Sequence, residues 1–180
     1  MILLFNLKHS KKKDGHIMIR HATKSDLPNI LDIYNDAILN TTAVYSYKPQ
    51  TLASREIWFE NKSQNNEPIF VFEEQGEAVA FATYGSFRDW PAYQYSIEHS
   101  IYVNEHHRGK GIASQLLKQL INHAQVEGYK TLVAGIDATN DNSIYLHKKF
   151  DFQHSGTIQN VGYKFDKWLD LAFYQLDLSK

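Results

Sequence analysis

Residues 95–128 switch hydrophobic period abruptly. YSIEHSIYV alternates apolar and polar side chains with the period of two that a strand requires, whereas IASQLLKQLINHAQVEG repeats its apolar residues at helical spacing. Only NEHHRGKG separates them. The helix is read over roughly Gly111 to Glu127, with Ile112, Leu116, Leu117, Leu120, Ile121 and Ala124 as its core stripe and Gly128 as a left-handed stop. A strand feeding so directly into an amphipathic helix points to a sheet that carries helices on its face.

The same two periods organise the rest of the chain. Ile17 to Arg20 reads as a short strand. Thr23 or Ser25 caps a helix running to about Leu39, with Asp26 and Pro28 at its start and Leu27, Ile30, Leu31, Tyr34 and Ile38 on its apolar face. NTTAVYSYKPQ reads as a loop, and TLASREIWFENKS as a second helix with Trp58 and Phe59 inward. IFVFEE and AVAFATYGSF, joined by QGE, form an antiparallel hairpin, and SFRDWPAYQ is a loop. Beyond the long helix, TLVAGI is a strand, Asn142 to Phe150 a short helix, and FQHSGTIQNVGYKF and WLDLAFYQLDL are two long strands. The last is apolar on both faces, which suits a central or covered strand. This order defines an α/β (α+β) class, a mixed sheet with helices on both faces.

A length of 180 residues suits one domain, and a formal net charge of -1 gives no global pull toward nucleic acid or a membrane. The absence of cysteine excludes disulfides, thiolate metal sites and a cysteine nucleophile, and is compatible with a reducing cytoplasm. No apolar run approaches the length of a membrane span. MILLFNLKHSKKKDGHI places its lysines after the apolar stretch, the reverse of a secretory signal. Residues 1–16 are therefore expected to be a poorly ordered extension, and 17–180 a single domain. Lys11 to Lys13 is read as a solvated charge run, and the aromatic content as core-periodic and unlike an RNA-stacking pattern.

Positions 108–113 are RGKGIA. Glycines let main-chain amides crowd a ligand, and a helix beginning there directs its unpaired N–H groups and positive dipole end outward, an arrangement suited to phosphate. Arg108 and Lys110 add charge. The same residues also fit a simple tight turn with solvated cations. A Walker loop is absent, since Gly109 and Gly111 are too close and no Gly-Lys-Ser/Thr ending follows; a dinucleotide fingerprint fails at Ser114. His106-His107 is a weak metal candidate, because adjacent loop residues rarely both ligate. Glu98 stands mid-strand on the face of Ser100 and Tyr102, where a carboxylate is costly unless it meets water or a ligand. Spacing alone favours a solvated strand-face glutamate.

Arg108-x-x-Gly111-x-Ala113, placed between IEHSIYV and a long helix, resembles the pyrophosphate loop of the GNAT superfamily of acetyl-CoA-dependent N-acetyltransferases. With YSIEHSIYV, NDNSIYLHKKFDF and GYKFDKWLDLAFYQLDL in that order, the chain from Ile19 to Leu178 is similar to the phosphinothricin acetyltransferase group. The resemblance implies a mostly antiparallel GNAT-like sheet, acetyl-CoA as cosubstrate with no metal, a small-molecule amine acceptor (phosphinothricin, methionine sulfoximine or sulfone type), no nucleic-acid or membrane partner, and a homodimer. It makes Glu98 the general base. It aligns His147 with a superfamily tyrosine that protonates the leaving thiolate, although a helix-face histidine bonded to backbone fits as well, and Tyr145 is a weaker substitute. Ile101, Tyr102 and Val103 would meet the pantetheine arm, Arg108, Gly109, Lys110, Gly111, Ile112 and Ala113 the pyrophosphate, and Asn140 the cofactor's arm. Tyr45, Arg88 and Tyr93 would line the acceptor pocket, or simply pack loops. Asp151 stands where most relatives have glycine, and aspartate tolerates a left-handed turn. Alternatives are an acetyltransferase for protein amino termini or lysines, and a CoA-binding sensor without turnover.

Overall fold

The computed structural model describes residues 17–179; the extension expected over residues 1–16 lies outside the described residues. The chain runs β1 (Ile17–His21), α1 (Leu27–Asn40), α2 (Leu52–Gln64), β2 (Ile69–Glu74), β3 (Glu77–Ser86), β4 (Ser96–Val103), α3 (Ile112–Val126), β5 (Thr131–Asp137), α4 (Asp141–Lys149), β6 (Gln153–Lys164) and β7 (Lys167–Asp177). That is the expected order of elements. The strands form one seven-stranded sheet in the order β1-β2-β3-β4-β5-β7-β6. The twice-apolar β7 lies inside it, bonded to β5 on one edge and β6 on the other.

Every neighbouring pair is antiparallel except β4 and β5. Two parallel strands need a long crossover, and α3 provides it. Its stripe of Ile112, Leu116, Leu117, Leu120 and Ala124 is buried against one face of the sheet, with Ile97, Leu132 and Ala134. On the other face Leu27, Ile30 and Ile33 of α1 pack with Val71 and Phe81, and Trp58 and Phe59 of α2 close the layer. The buried arc of α1 includes Ile33 and Ala37, while Leu31, expected inside, is only partly covered. Because α1 rests on β3 and against α2 together, its covered arc is shifted from the one its spacing indicated. Gly128 adopts φ 80° just after α3, and Asp151 accepts φ 65° after α4, as the sequence required. No helix among the described residues is long and apolar enough to cross a membrane.

Entry into α1 is fixed by a buried carboxylate. Asp26 accepts from Arg20 Nη1 at 2.7 Å and Nη2 at 2.8 Å and from the Thr23 amide at 2.7 Å, while Arg20 Nε reaches Glu73 on β2. Burial alone would raise the Asp26 pKa, but the Arg20 guanidinium and the Thr23 donors outweigh it and hold the carboxyl below its ordinary value. Stability from this site is therefore complete above the unfolded aspartate pKa and is lost as pH falls through the depressed folded value. Asp26→Ala should cost about 3 kcal/mol at neutral pH in chemical denaturation. The variant's stability should also fall less steeply than wild type's in acid.

Candidate active site

β4 and β5 are paired only from Ser96 to Glu98, opposite Thr131 to Val133. Beyond that point they part. His99 to Val103 remains bonded to β3, and Ala134 to Asp137 to β7, so each strand turns one main-chain edge into the gap between them. Such an edge offers N–H and C=O groups to an extended ligand, as a further strand would.

Glu98 stands at the apex of this gap. Gly135 lies across from it on β5, and a Cβ built there would be 3.0 Å from Glu98 Oε1, so the carboxylate occupies space that only glycine leaves open. Burial raises the Glu98 pKa and the nearby Arg88 charge partly offsets it. A carboxyl raised in this way is a better proton acceptor than an exposed glutamate.

His147 lies on the opposite side of β4. Its ring contacts His99, the neighbour of Glu98 whose side chain alternates to the other face. His147 Nδ1 is 2.7 Å from the Ser143 carbonyl, which only accepts, so the proton resides on Nδ1. Nε2 of a neutral His147 is then the acceptor for His99 Nε2 at 3.1 Å, leaving His99 Nδ1 as a buried lone pair with no partner in the described residues. Burial, with His147 nearby, lowers the His99 pKa to about 3; burial also lowers that of His147, against the Ser143 bond. Both rings are neutral, and they lock α4 onto β4.

The glycine loop opens α3. Gly109 and Gly111 adopt φ 77° and 76°, and a Cβ at either would meet nothing within 4 Å, so the loop presents bare backbone to open space. Gly111 is the N-cap and provides no side-chain bond to the first amides. The Arg108 guanidinium turns back onto the Val103 carbonyl at 3.2 Å and Asp36 at 2.8 Å, tying the loop to β4 and α1. His107 pairs with Glu74 at 3.1 Å, and no cluster of three metal-ligating side chains occurs among the described residues. Asn140 accepts from the Ser143 amide at 3.1 Å as the cap of α4, so its carboxamide NH₂ is the group left to donate.

On the Glu98 side, a cavity of about 260 Å³ is lined by Glu98, Ser100 and Tyr102 of β4 and by Tyr34, Arg55 and Trp58 of the two helices, among others. Among the described residues, Glu98 is the one acidic residue lining it. Arg55, which the sequence reading missed, is 3% exposed; its guanidinium lies 4.1 Å from the Tyr34 ring centre and 4.4 Å from Trp58, and its Nε has no hydrogen-bond partner among the described residues. Nothing in LASREIWFENK distinguishes that cation from its exposed neighbours. Tyr45, Arg88 and Tyr93 do not line this cavity. Arg88 and Tyr93 both pack on Phe87, and Arg88 is felt by Glu98, whereas Tyr45 lies against Gly162 of β6.

Residues 30–152 match the acetyltransferase (GNAT) family. The chain belongs to the GNAT acetyltransferase family. It is 44% identical over 161 residues to the L-methionine sulfoximine/L-methionine sulfone acetyltransferase of Pseudomonas aeruginosa, covering 89% of this chain and 94% of that one. An N-acetyltransferase from Staphylococcus aureus Mu50 superposes with a TM-score of 0.90 at 68% identity, over 91% of this chain and 99% of the other. A GNAT superfamily phosphinothricin acetyltransferase from Sinorhizobium meliloti, solved with acetyl-CoA, superposes with a TM-score of 0.87 at 33% identity, over 89% and 88% of the two chains. For this GNAT acetyltransferase, Gly135→Ala should displace the Glu98 carboxylate. The expected result is a fall of about 10–100-fold in kcat/KM with little change in thermal stability.

Proposed function

We propose that the protein transfers the acetyl group of acetyl-CoA to the amine of a small amino acid or analogue, of the methionine sulfoximine, methionine sulfone or phosphinothricin type, by direct attack. The observation that carries this reading is Glu98, half-buried at the point where β4 and β5 part and facing a small, partly open cavity with a buried cation in its wall. A cavity of this size suits a compact acceptor better than a peptide, and the Arg55 charge suits one that bears an anion.

The residues present fit acetyl-CoA. The amides opened at Gly109, Gly111 and the start of α3, with Lys110, Ile112 and Ala113 around them, would hold the pyrophosphate, and Arg108 would steady the loop. Ile101, Tyr102 and Val103 would bond the pantetheine arm through their open edge, assisted by the Asn140 carboxamide. When bound, acetyl-CoA supplies an activated thioester. Glu98 takes the proton of the acceptor's ammonium, directly or through a water, freeing the lone pair for attack. Main-chain donors of β4 near Val103 steady the oxygen as it gains charge. Attack leaves a second proton on the acceptor nitrogen, which balances the departing sulfur. The alternative donor is His147, and its enclosed neutral ring favours the nitrogen. Tyr45, Arg88 and Tyr93, outside the wall of the Glu98 cavity, would border the approach to it, Arg88 through its charge near Glu98.

We also read the protein as a homodimer. Val161, Tyr163, Phe165 and Trp168 of the β6–β7 hairpin are all exposed and form an apolar surface suited to a second copy. Sedimentation of wild type and Trp168→Lys checks this, a monomeric wild type counting against it.

Mixing the protein with acetyl-CoA and a panel of small amines, while following free thiol, tests the reading directly; binding without release would favour a sensor. Glu98→Gln should lower kcat by about 10²–10⁴-fold and leave acetyl-CoA affinity nearly unchanged. Because the base must be ionised, wild-type kcat/KM should rise with pH through a pKa above the ordinary glutamate value, a limb that Glu98→Gln loses. Gly111→Val forces a β-branched residue to φ 76° and should weaken acetyl-CoA binding. His147→Phe with an unaltered pH profile would retire the acid role.

A further inference from the structure

The loop after α1 is gripped by three consecutive residues of β6. Lys164, 4% exposed, donates from Nζ to the carbonyl oxygens of Ile38 at 2.6 Å and of Thr41 and Val44 at 2.7 Å each. Ile38 lies in the last turn of α1, where helical carbonyls lack partners; α1 has no basic residue of its own there and ends without a glycine. An ammonium carries three donors, and all three are used. Beside it, the Tyr47 hydroxyl donates to the Tyr163 carbonyl at 2.5 Å. At Gly162 a Cβ would come within 2.7 Å of the Tyr45 ring, so that ring lies directly on β6 backbone.

We propose that Lys164 is a positioning residue for acceptor binding: it caps α1 from β6 and holds residues 38–44 in the one conformation that seats Tyr45 on Gly162. The proposal rests on the reading of Tyr45 as a residue bordering the acceptor's approach, outside the wall of the Glu98 cavity. The bonds of Lys164 end on residues 38–44 and not on α3 or β4. Its loss should therefore fall first on the acceptor and less on acetyl-CoA.

Lys164→Met keeps the apolar stem and removes the donors. It should raise KM for the acceptor by about tenfold or more, leave KM for acetyl-CoA within about twofold, and accelerate amide hydrogen exchange over residues 41–47. Lys164→Arg, which retains donors, should recover part of the acceptor KM. Gly162→Ala perturbs the Tyr45 ring with the lysine intact and should raise the acceptor KM with little change in melting temperature. A folded Lys164→Met enzyme with an unchanged acceptor KM overturns the proposal, as do equal changes in both KM values. If Lys164→Met does not fold, Gly162→Ala decides, and an unchanged acceptor KM sinks the idea. Wild-type protein that releases no thiol with any amine marks failure of the functional reading itself; exchange over 41–47 then still reports whether the tether exists.

Discussion

A single parallel strand pair in an otherwise antiparallel sheet is the constraint on which the rest of this molecule depends. Because β4 and β5 run the same way, α3 must cross between them, and its first turn must begin where β4 ends. Right-handed twist separates neighbouring strands progressively, and here no hydrogen bonds hold β4 to β5 beyond Glu98 and Val133. The gap leaves main-chain polar groups that need a partner, with helical amides of α3 at one end and a carboxylate at the other. The open strand edges, the bare helix start and the half-buried carboxylate thus follow from one topological choice.

The two faces of the sheet carry different chemistry because β4 alternates. Glu98 points to the side of α1 and α2, among cations and aromatic rings; His99 points to the side of α3 and α4, against His147 and Phe152. Burial acts on both and in opposite senses. It favours the proton on the carboxyl and disfavours the second proton on each imidazole. Proton-accepting capacity is therefore concentrated on one face, and the imidazole pair on the other is held neutral.

Much of this was legible in residue spacing. The switch from period two to helical period located β4 and α3, and two glycines so close to a helix start marked exposed backbone. Gly128 and Asp151 announced left-handed turns that the structure contains. What spacing could not show was contact between distant segments. Gly135 within TLVAGID reads as a weak strand residue, and its meaning appears only once Glu98 lies over it. His147 has the sequence neighbourhood of a superfamily acid, yet its orientation depends on whether Ser143 or solvent receives its Nδ1 proton. The covered arc of α1 shifted for the same reason: a second helix, not its own spacing, decided which residues were enclosed.

Buried cations were the least legible of all, and they have a common logic. Hydrophobic patterning assigns lysine and arginine to solvent, because isolated charges are expensive to desolvate. Arg55 and Lys164 are both buried, and neither is neutralised by a carboxylate bridge in the manner of Arg20 with Asp26. Arg55 is stacked on Tyr34 and Trp58 and bonded to Gln50; Lys164 is enclosed by main-chain oxygens. Dipoles and ring faces compensate a cation without cancelling its charge. A carboxylate beside Arg55 would have cancelled its positive field in the cavity that Glu98 also lines. Solvating these cations with neutral groups leaves their charge uncancelled, Lys164 between α1 and β6 and Arg55 in the wall that Glu98 shares.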